Sequence, residues 1–283
     1  MSRNRDRGGA IPPTHDTGTP PIMPDSGGFS FVVPTEFVEL PSEGRFYPPN
    51  HPLHGESSIE VRQMTAKEED ILTSKTLLKK GVVIDRLLQN IIVDKRIDAD
   101  NLLIGDRNAI IIAARVSGYG NEYKTAIGCP RCTASQEYVF DLNTAAIYGG
   151  GTDKPEEVVD NEDGTFDVVL PKSGVTATFR LLTGLDERRL LTGLEADKKQ
   201  KIHERNITRQ ILNIVVAVNG DSSSDALNYL VQNIPSSDSR HLRLSYRRAA
   251  PNVDLTQEFE CVECGHESEL EVPLSADFFW PDR

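Results

Sequence analysis

The stretch GCPRC, residues 128–132, and its later counterpart CVECG, residues 261–265, contain all four cysteines of this chain. Each stretch lies between two segments of strand-like composition, which cover residues 121–127, 136–142, 255–260 and 268–272. A tight turn lets two thiolates of one hairpin reach one metal ion, and a second hairpin completes a tetrahedral site. The pattern therefore predicts a zinc ribbon in which one structural zinc ion is bound by Cys129, Cys132, Cys261 and Cys264.

The two cysteine pairs are about 130 residues apart, whereas the pairs of an ordinary zinc ribbon are separated by roughly 15–20 residues. If the pairs share a metal ion, the chain between them is an insertion, and the ribbon is split along the sequence. Gly128 and Gly265 are expected to supply the backbone freedom that the two turns need.

Other interpretations of the cysteines stay open. A thioredoxin-like redox pair opens a helix, which lowers the pKa of the thiol, and neither pair here has a helical continuation. Attachment of a c-type haem needs a histidine directly after the second cysteine, but Gly265 follows Cys264 and His266 comes one position late. Disulfides or free dithiols are further possibilities, although disulfides suit exported proteins and we expect no export signal.

The composition argues against several classes of partner. The chain has 283 residues and a formal net charge of −12, so on average it repels a phosphate backbone. Its longest apolar run, residues 109–114, is far shorter than the roughly 20 residues of a membrane-spanning helix. The first residues carry three arginines with no apolar core behind them, so we expect neither a membrane segment nor a secretory signal.

Hydrophobic patterning predicts an N-terminal arm followed by one α+β domain. Residues 1–30 are rich in glycine and proline and are expected to be disordered or bound to a partner. Residues 31–283 are expected to form a mainly helical core with short antiparallel strands. Its predicted parts are a strand/helix half 31–142, an inserted β-hairpin 150–182, a helical part 183–250 and a C-terminal ribbon half 251–283.

Two helical segments have particular consequences for the fold. Residues 106–117 are apolar on nearly all sides, which predicts a helix in the middle of the core. The spacing of apolar residues predicts another helix over residues 203–218. Outside the helices, residues 165–170 and 176–181 are predicted to form a hairpin around the turn Lys172-Ser173-Gly174.

A basic patch lies on a further predicted helix, residues 236–248. Arg240, Arg243 and Arg247 share one face at spacings i, i+3 and i+7, with Arg248 beside them. The face could bind phosphates or dock on an acidic protein. We favour protein contact, because interleaved apolar residues are spaced to bury the opposite face.

No motif for catalysis is found. The chain lacks a phosphate-binding glycine-rich loop, a G-x-S-x-G nucleophile elbow and an H-E-x-x-H helix. We therefore predict that the protein is not an enzyme, has no catalytic residues and takes no small-molecule substrate.

Several sequence blocks resemble a phage family. They are FVELPSEGRFYP (37–48), HPL (51–53), IEVRQMTAKEEDIL (59–72), LKKGVVID (78–85), GDRNAIIIAAR (105–115) and GYG (118–120). Together they are similar to the baseplate hub subunit and baseplate assembly proteins of contractile-tailed bacteriophages of the T-even type. The likeness covers residues 37–123 and extends to the ribbon halves, whereas residues 143–250 share only helical character.

The resemblance implies a structural or assembly component of the contractile phage tail baseplate, which bridges neighbouring hub and wedge proteins. It further implies a virion protein that is assembled in the host cytoplasm and has no enzymatic activity. The alternative is a zinc-ribbon nucleic-acid or transcription accessory protein that uses the arginines of residues 240–248.

Overall fold

The structure, a computed structural model, describes residues 33–150, 158–200, 205–272, 274 and 276–279. The predicted N-terminal arm, residues 1–30, lies outside the described residues. Within them the chain is α+β, with eight α-helices and twelve short strands that pair only in antiparallel fashion. The α+β class is thus confirmed, but the prediction of a mainly helical core overestimated the helical content.

The first part of the chain packs helices beside a two-stranded sheet. Strands β1 (Thr35–Glu39) and β2 (Ser58–Arg62) pair with each other, and helices α1 (Ala66–Thr73), α2 (Lys75–Lys80), α3 (Val83–Ile91) and α4 (Ile104–Tyr119) follow. Helix α1 begins with a capping box, because the Glu68 carboxylate accepts a hydrogen bond from the backbone N–H of Thr65 at 2.9 Å. The local sequence pattern therefore fixes where this helix begins.

The remaining elements alternate short strands with helices. Strands β3 (Glu122–Gly128), β4 (Ser135–Asp141), β5 (Ala146–Tyr148), β6 (Val158–Asp160), β7 (Thr165–Val169) and β8 (Thr176–Arg180) come first. Helix α5 (Gly184–Gln200), helix α6 (Asn206–Ile214), strand β9 (Val215–Val218), helix α7 (Ser224–Asn233) and helix α8 (Ser236–Ala249) follow. The chain then forms β10 (Asn252–Asp254), β11 (Thr256–Glu260) and β12 (Glu267–Glu271).

The predicted hairpin is present as β7–β8, and it forms the centre of a four-stranded sheet in the order β6-β7-β8-β9. Its Phe166 and Phe179 are buried and face the core. Strand β9 contradicts the prediction of a helix over residues 203–218, because helix α6 ends at Ile214 and the chain then pairs with β8. The sequence of β9 is VVAV, and β-branched side chains favour a strand once a neighbouring strand is available.

Helix α4 lies in the core, as its apolar sequence predicted. Ile110, Ile111 and Ile112 are buried on successive sides of the helix. Gly105 brings its first turn against the strand segment after α8, because a Cβ atom at this position would overlap the backbone of Pro251. Arg115 is fully buried, and its guanidinium donates hydrogen bonds to the backbone carbonyls of Gly120, Glu122 and Phe278.

Candidate metal centre

Two hairpins that are far apart in the sequence pack against each other. Hairpin β3–β4 carries the first cysteine pair and hairpin β11–β12 carries the second. Between them, the Tyr138 hydroxyl donates a hydrogen bond to the Glu258 carbonyl at 2.7 Å, and the Gln136 side-chain amide donates to the Glu260 carbonyl at 3.0 Å. The buried Phe259 ring lies 5.7 Å from the Tyr138 ring. The expected meeting of the two ribbon halves is therefore seen.

This packing gathers all four cysteine sulfurs. The Sγ atoms lie within 4.8 Å of one another; Cys129 and Cys264 are 3.8 Å apart, and Cys132 and Cys261 are 3.6 Å apart. Sulfurs bound about 2.3 Å from a central zinc ion in a tetrahedron lie about 3.8 Å from one another. A disulfide would need an S–S distance of about 2.05 Å, so these are four free cysteines at the spacing of metal ligands.

The two turns have matching backbone geometry. In the first, the backbone N–H of Thr133 donates to the Cys129 carbonyl at 2.9 Å, and in the second the N–H of Gly265 donates to the Cys261 carbonyl at 2.8 Å. The residue after each pair adopts a positive φ, +60° at Thr133 and +61° at Gly265. The expectation for Gly265 is confirmed, but in the first turn Thr133, not Gly128, adopts the left-handed conformation.

Two thiols of this cluster, those of Cys129 and Cys264, have pKa values shifted strongly in opposite directions. Backbone N–H groups of Cys132 and Arg131 point toward the Cys129 sulfur and lower the pKa of its thiol to about 6. Burial, together with hydrogen bonding to Cys132, raises the pKa of the Cys264 thiol to about 12. Backbone hydrogen bonds thus favour a thiolate at Cys129, whereas burial opposes a thiolate at Cys264. A divalent ion at the centre would stabilise all four thiolates, so this donor set fits a metal.

Neither cysteine pair opens a helix, since β4 follows the first turn and β12 follows the second. The helix dipole that activates a thioredoxin-type thiol is therefore missing at both turns. His266 is not part of the sulfur cluster among the residues that the structure describes.

The predicted basic face lies on α8, far along the chain from the first hairpin. We call Arg240, Arg243, Arg247 and Arg248 the α8 arginine face. Arg243 is half-buried and the other three are exposed. On the opposite side of the helix Leu242 is fully buried, as predicted, whereas the equally expected Leu244 and Tyr246 are only half-buried.

Sequence reasoning did not find two buried polar clusters. In one, Asp106 accepts hydrogen bonds from the Ser42 hydroxyl at 2.6 Å and the Tyr47 hydroxyl at 2.8 Å. In the other, Asp85 bridges Arg107 and Arg188 at 2.5 and 2.8 Å. The residues that pair within these clusters are 22 to 103 positions apart in the sequence, so no local sequence pattern indicates them. Their polar groups are paired within the protein, which marks them as structural.

Comparison with known protein families shows to which family this chain belongs. A model of the T4 bacteriophage base plate protein family matches residues 34–280. The chain belongs to this family.

This base plate family covers more of the chain than the sequence resemblance did. The match includes both cysteine pairs and α8, and it spans residues 143–250, where the blocks gave only helical character. The protein is accordingly a structural component of a phage baseplate. A search of curated proteins and a search of solved structures each found no match. Across the described part of the chain, none of the helices has both the length and the apolar character that crossing a bilayer requires.

Proposed function

We propose that this baseplate protein bridges neighbouring hub and wedge subunits in a contractile tail. The family match over residues 34–280 carries the proposal. The structure adds a rigid scaffold with an exposed basic face, the α8 arginine face, on an otherwise acidic chain. We further propose that the N-terminal arm and the helical region from α1 to α4 provide additional contacts, and that residues 31–283 act as one domain.

A phage that lacks this protein tests the proposal. It should accumulate filled heads without functional tails, because the remaining subunits would lack a connector. Electron microscopy of the lysate and the plating efficiency report the defect, and expression of the protein from a plasmid is the control. Normal contractile tails at full plating efficiency would contradict the baseplate role. Assembly in the host cytoplasm and a place in the finished virion are part of the same proposal, and imaging intact tails tests the second.

We also propose that the four cysteines hold one structural zinc ion. The support is a set of four sulfurs at tetrahedral spacing, presented by two matching turns. When bound, the ion would join hairpin β3–β4 to hairpin β11–β12. Four thiolates would leave zinc no open position for water, so we propose that the site has no hydrolytic role and that the protein is not an enzyme.

A second candidate function is a zinc-ribbon nucleic-acid accessory protein, and the α8 arginine face is the observation that favours it. A gel-shift assay across salt separates the two candidates. Binding through phosphate contacts weakens steeply as salt rises. A protein that shifts no DNA or RNA at low salt would exclude the accessory role.

A further inference from the structure

Three arginines of the α8 arginine face lack the ion pairs that most other arginines of the described residues form. Within the described residues, no carboxylate lies within ion-pair distance of Arg240, Arg243 or Arg247. Most of the other arginines in this part of the chain do form ion pairs, namely Arg45, Arg62, Arg96, Arg107, Arg180, Arg188, Arg189, Arg205 and Arg209. Three arginines without an ion pair thus lie together on one helix, in a chain whose net charge is −12.

Stability of helix α8 does not account for this pattern. Arg247 and Arg248 lie in the last turn, where cations interact favourably with the helix dipole. Arg243 and Arg240 lie outside the last turn, so the helix dipole does not favour their positive charges. The face therefore carries more positive charge than the helix itself can use.

The helix is held rigidly behind this face. Its Asp238 carboxylate accepts hydrogen bonds from the backbone N–H groups of Lys172 and Ser173 at 2.8 and 2.9 Å, which ties α8 to the β7–β8 turn. At the other end, the Tyr246 hydroxyl accepts from the Leu182 N–H at 3.2 Å. Because the helix is fixed at both ends, its arginines are presented over about 10 Å without ordering of the backbone on binding.

A groove of about 860 Å³ runs beside the face. Arg243, Arg247 and Arg248 line one side, and the groove continues over Tyr148 and Leu190. Its lining also includes three carboxylates, those of Glu187, Asp254 and Glu271. The groove thus offers apolar surface beside cations, together with carboxylates that would repel a continuous phosphate backbone.

We propose that this groove binds an acidic polypeptide segment of a neighbouring subunit, whose carboxylates pair with Arg243 and Arg247 and whose apolar side chains cover Leu190. The proposal rests on the proposed bridging function and names the chemistry of one partner. Charge complementarity selects the occupant: a segment with spaced carboxylates satisfies the arginines and can avoid the groove's own acids, whereas a uniformly charged phosphate chain cannot.

The test compares two labelled probes by fluorescence anisotropy with the full-length protein. The probes are a fluorescein-labelled short peptide in which glutamates are separated by serine and leucine, and a fluorescein-labelled single-stranded DNA, measured at about 50 mM and about 200 mM salt. We expect the peptide to bind at low salt and the Arg243→Gln, Arg247→Gln double variant to bind it about tenfold more weakly, since each exposed ion pair contributes about threefold. A double variant with Lys124→Gln and Arg131→Gln removes the same charge from exposed positions of hairpin β3–β4 and should bind normally.

Three results would overturn the proposal. One is no peptide binding at low salt, and another is an equal loss in both double variants. The third is tighter binding of the DNA with loss only in the arginine variant, which would assign the face to nucleic acid.

Sedimentation without any probe tests whether a second copy of this chain occupies the groove. The proposal expects the same mass for wild type and arginine variant, and self-association that is lost in the variant would contradict it. Urea unfolding checks that both variants are folded. These binding results do not depend on whether the phage that lacks the protein forms tails. Failure of the groove proposal can therefore be distinguished from failure of the bridging proposal.

Discussion

Replacing Cys261 with serine should reveal how far the sulfur cluster stabilises the fold. The metal would cross-link positions that are 129 and 135 residues apart along the chain. A cross-link that closes a loop of this length removes unfolded-state entropy equivalent to about 5 kcal/mol at 25 °C. Domains of ordinary stability unfold with about 5–15 kcal/mol, so the loss would be a large share of the total.

Contacts that do not depend on metal should keep the two hairpins together in the Cys261→Ser variant. The hairpins still share the hydrogen bonds of Tyr138 and Gln136 and the buried Phe259. We therefore expect Cys261→Ser to lower the free energy of unfolding by up to about 5 kcal/mol without abolishing folding.

Urea unfolding with and without a chelator provides the assay. The chelator should destabilise the wild-type protein and have little further effect on Cys261→Ser. Val262→Ser is the matched control, because this side chain lies in the same turn, is 78% exposed and should change stability by no more than about 0.5 kcal/mol. Elemental analysis should find about one zinc per wild-type chain. Zinc well below that level, or equal unfolding midpoints for wild type and Cys261→Ser in zinc-containing buffer, would refute the reasoning.

Three further predictions concern the scaffold. Burial alone would raise the pKa of Glu68, but hydrogen bonds from neighbouring side chains and backbone lower the pKa from 4.5 to about 2. The ionised Glu68 therefore stabilises the fold above pH 4.5, and this stabilisation is lost as the pH falls toward 2. Glu68→Gln should lower stability by about 1–3 kcal/mol at pH 7, and a midpoint difference from wild type that does not shrink on acidification would contradict this. Gly105→Ala should cost more than about 2 kcal/mol through overlap with Pro251, whereas Gly128→Ala has open space around its Cβ and serves as the control in thermal unfolding. Tyr138→Phe should cost about 0.5–1.5 kcal/mol in urea unfolding while leaving the metal content unchanged, and a loss of metal would show that the hydroxyl positions the sulfurs.

Local sequence was sufficient wherever short-range patterning decides the structure. The four ribbon strands, the central helix α4 and the hairpin β7–β8 were predicted with bounds close to those observed. Alternation of side chains and turn residues act within a few positions, so these elements can be read without knowing their neighbours. The cysteine motifs likewise named the residues of the sulfur cluster, because the pairing within each turn is local.

Contacts between distant segments decided the rest. Strand β9 is a strand because β8 lies beside it, although the sequence before Val215 is helical. Gly105 matters because the backbone of Pro251 approaches it.

The sequence by itself named the candidate residues: four cysteines in paired turns and a row of arginines on one helix face. Only the tertiary structure decided what each set can do. It brought sulfurs from two hairpins that are far apart in the sequence to within 4.8 Å of one another. It also placed carboxylates of this acidic chain against other arginines, while leaving Arg243 and Arg247 without one among the described residues. Distances between residues more than 100 positions apart depend on how whole elements pack, and no local pattern encodes them.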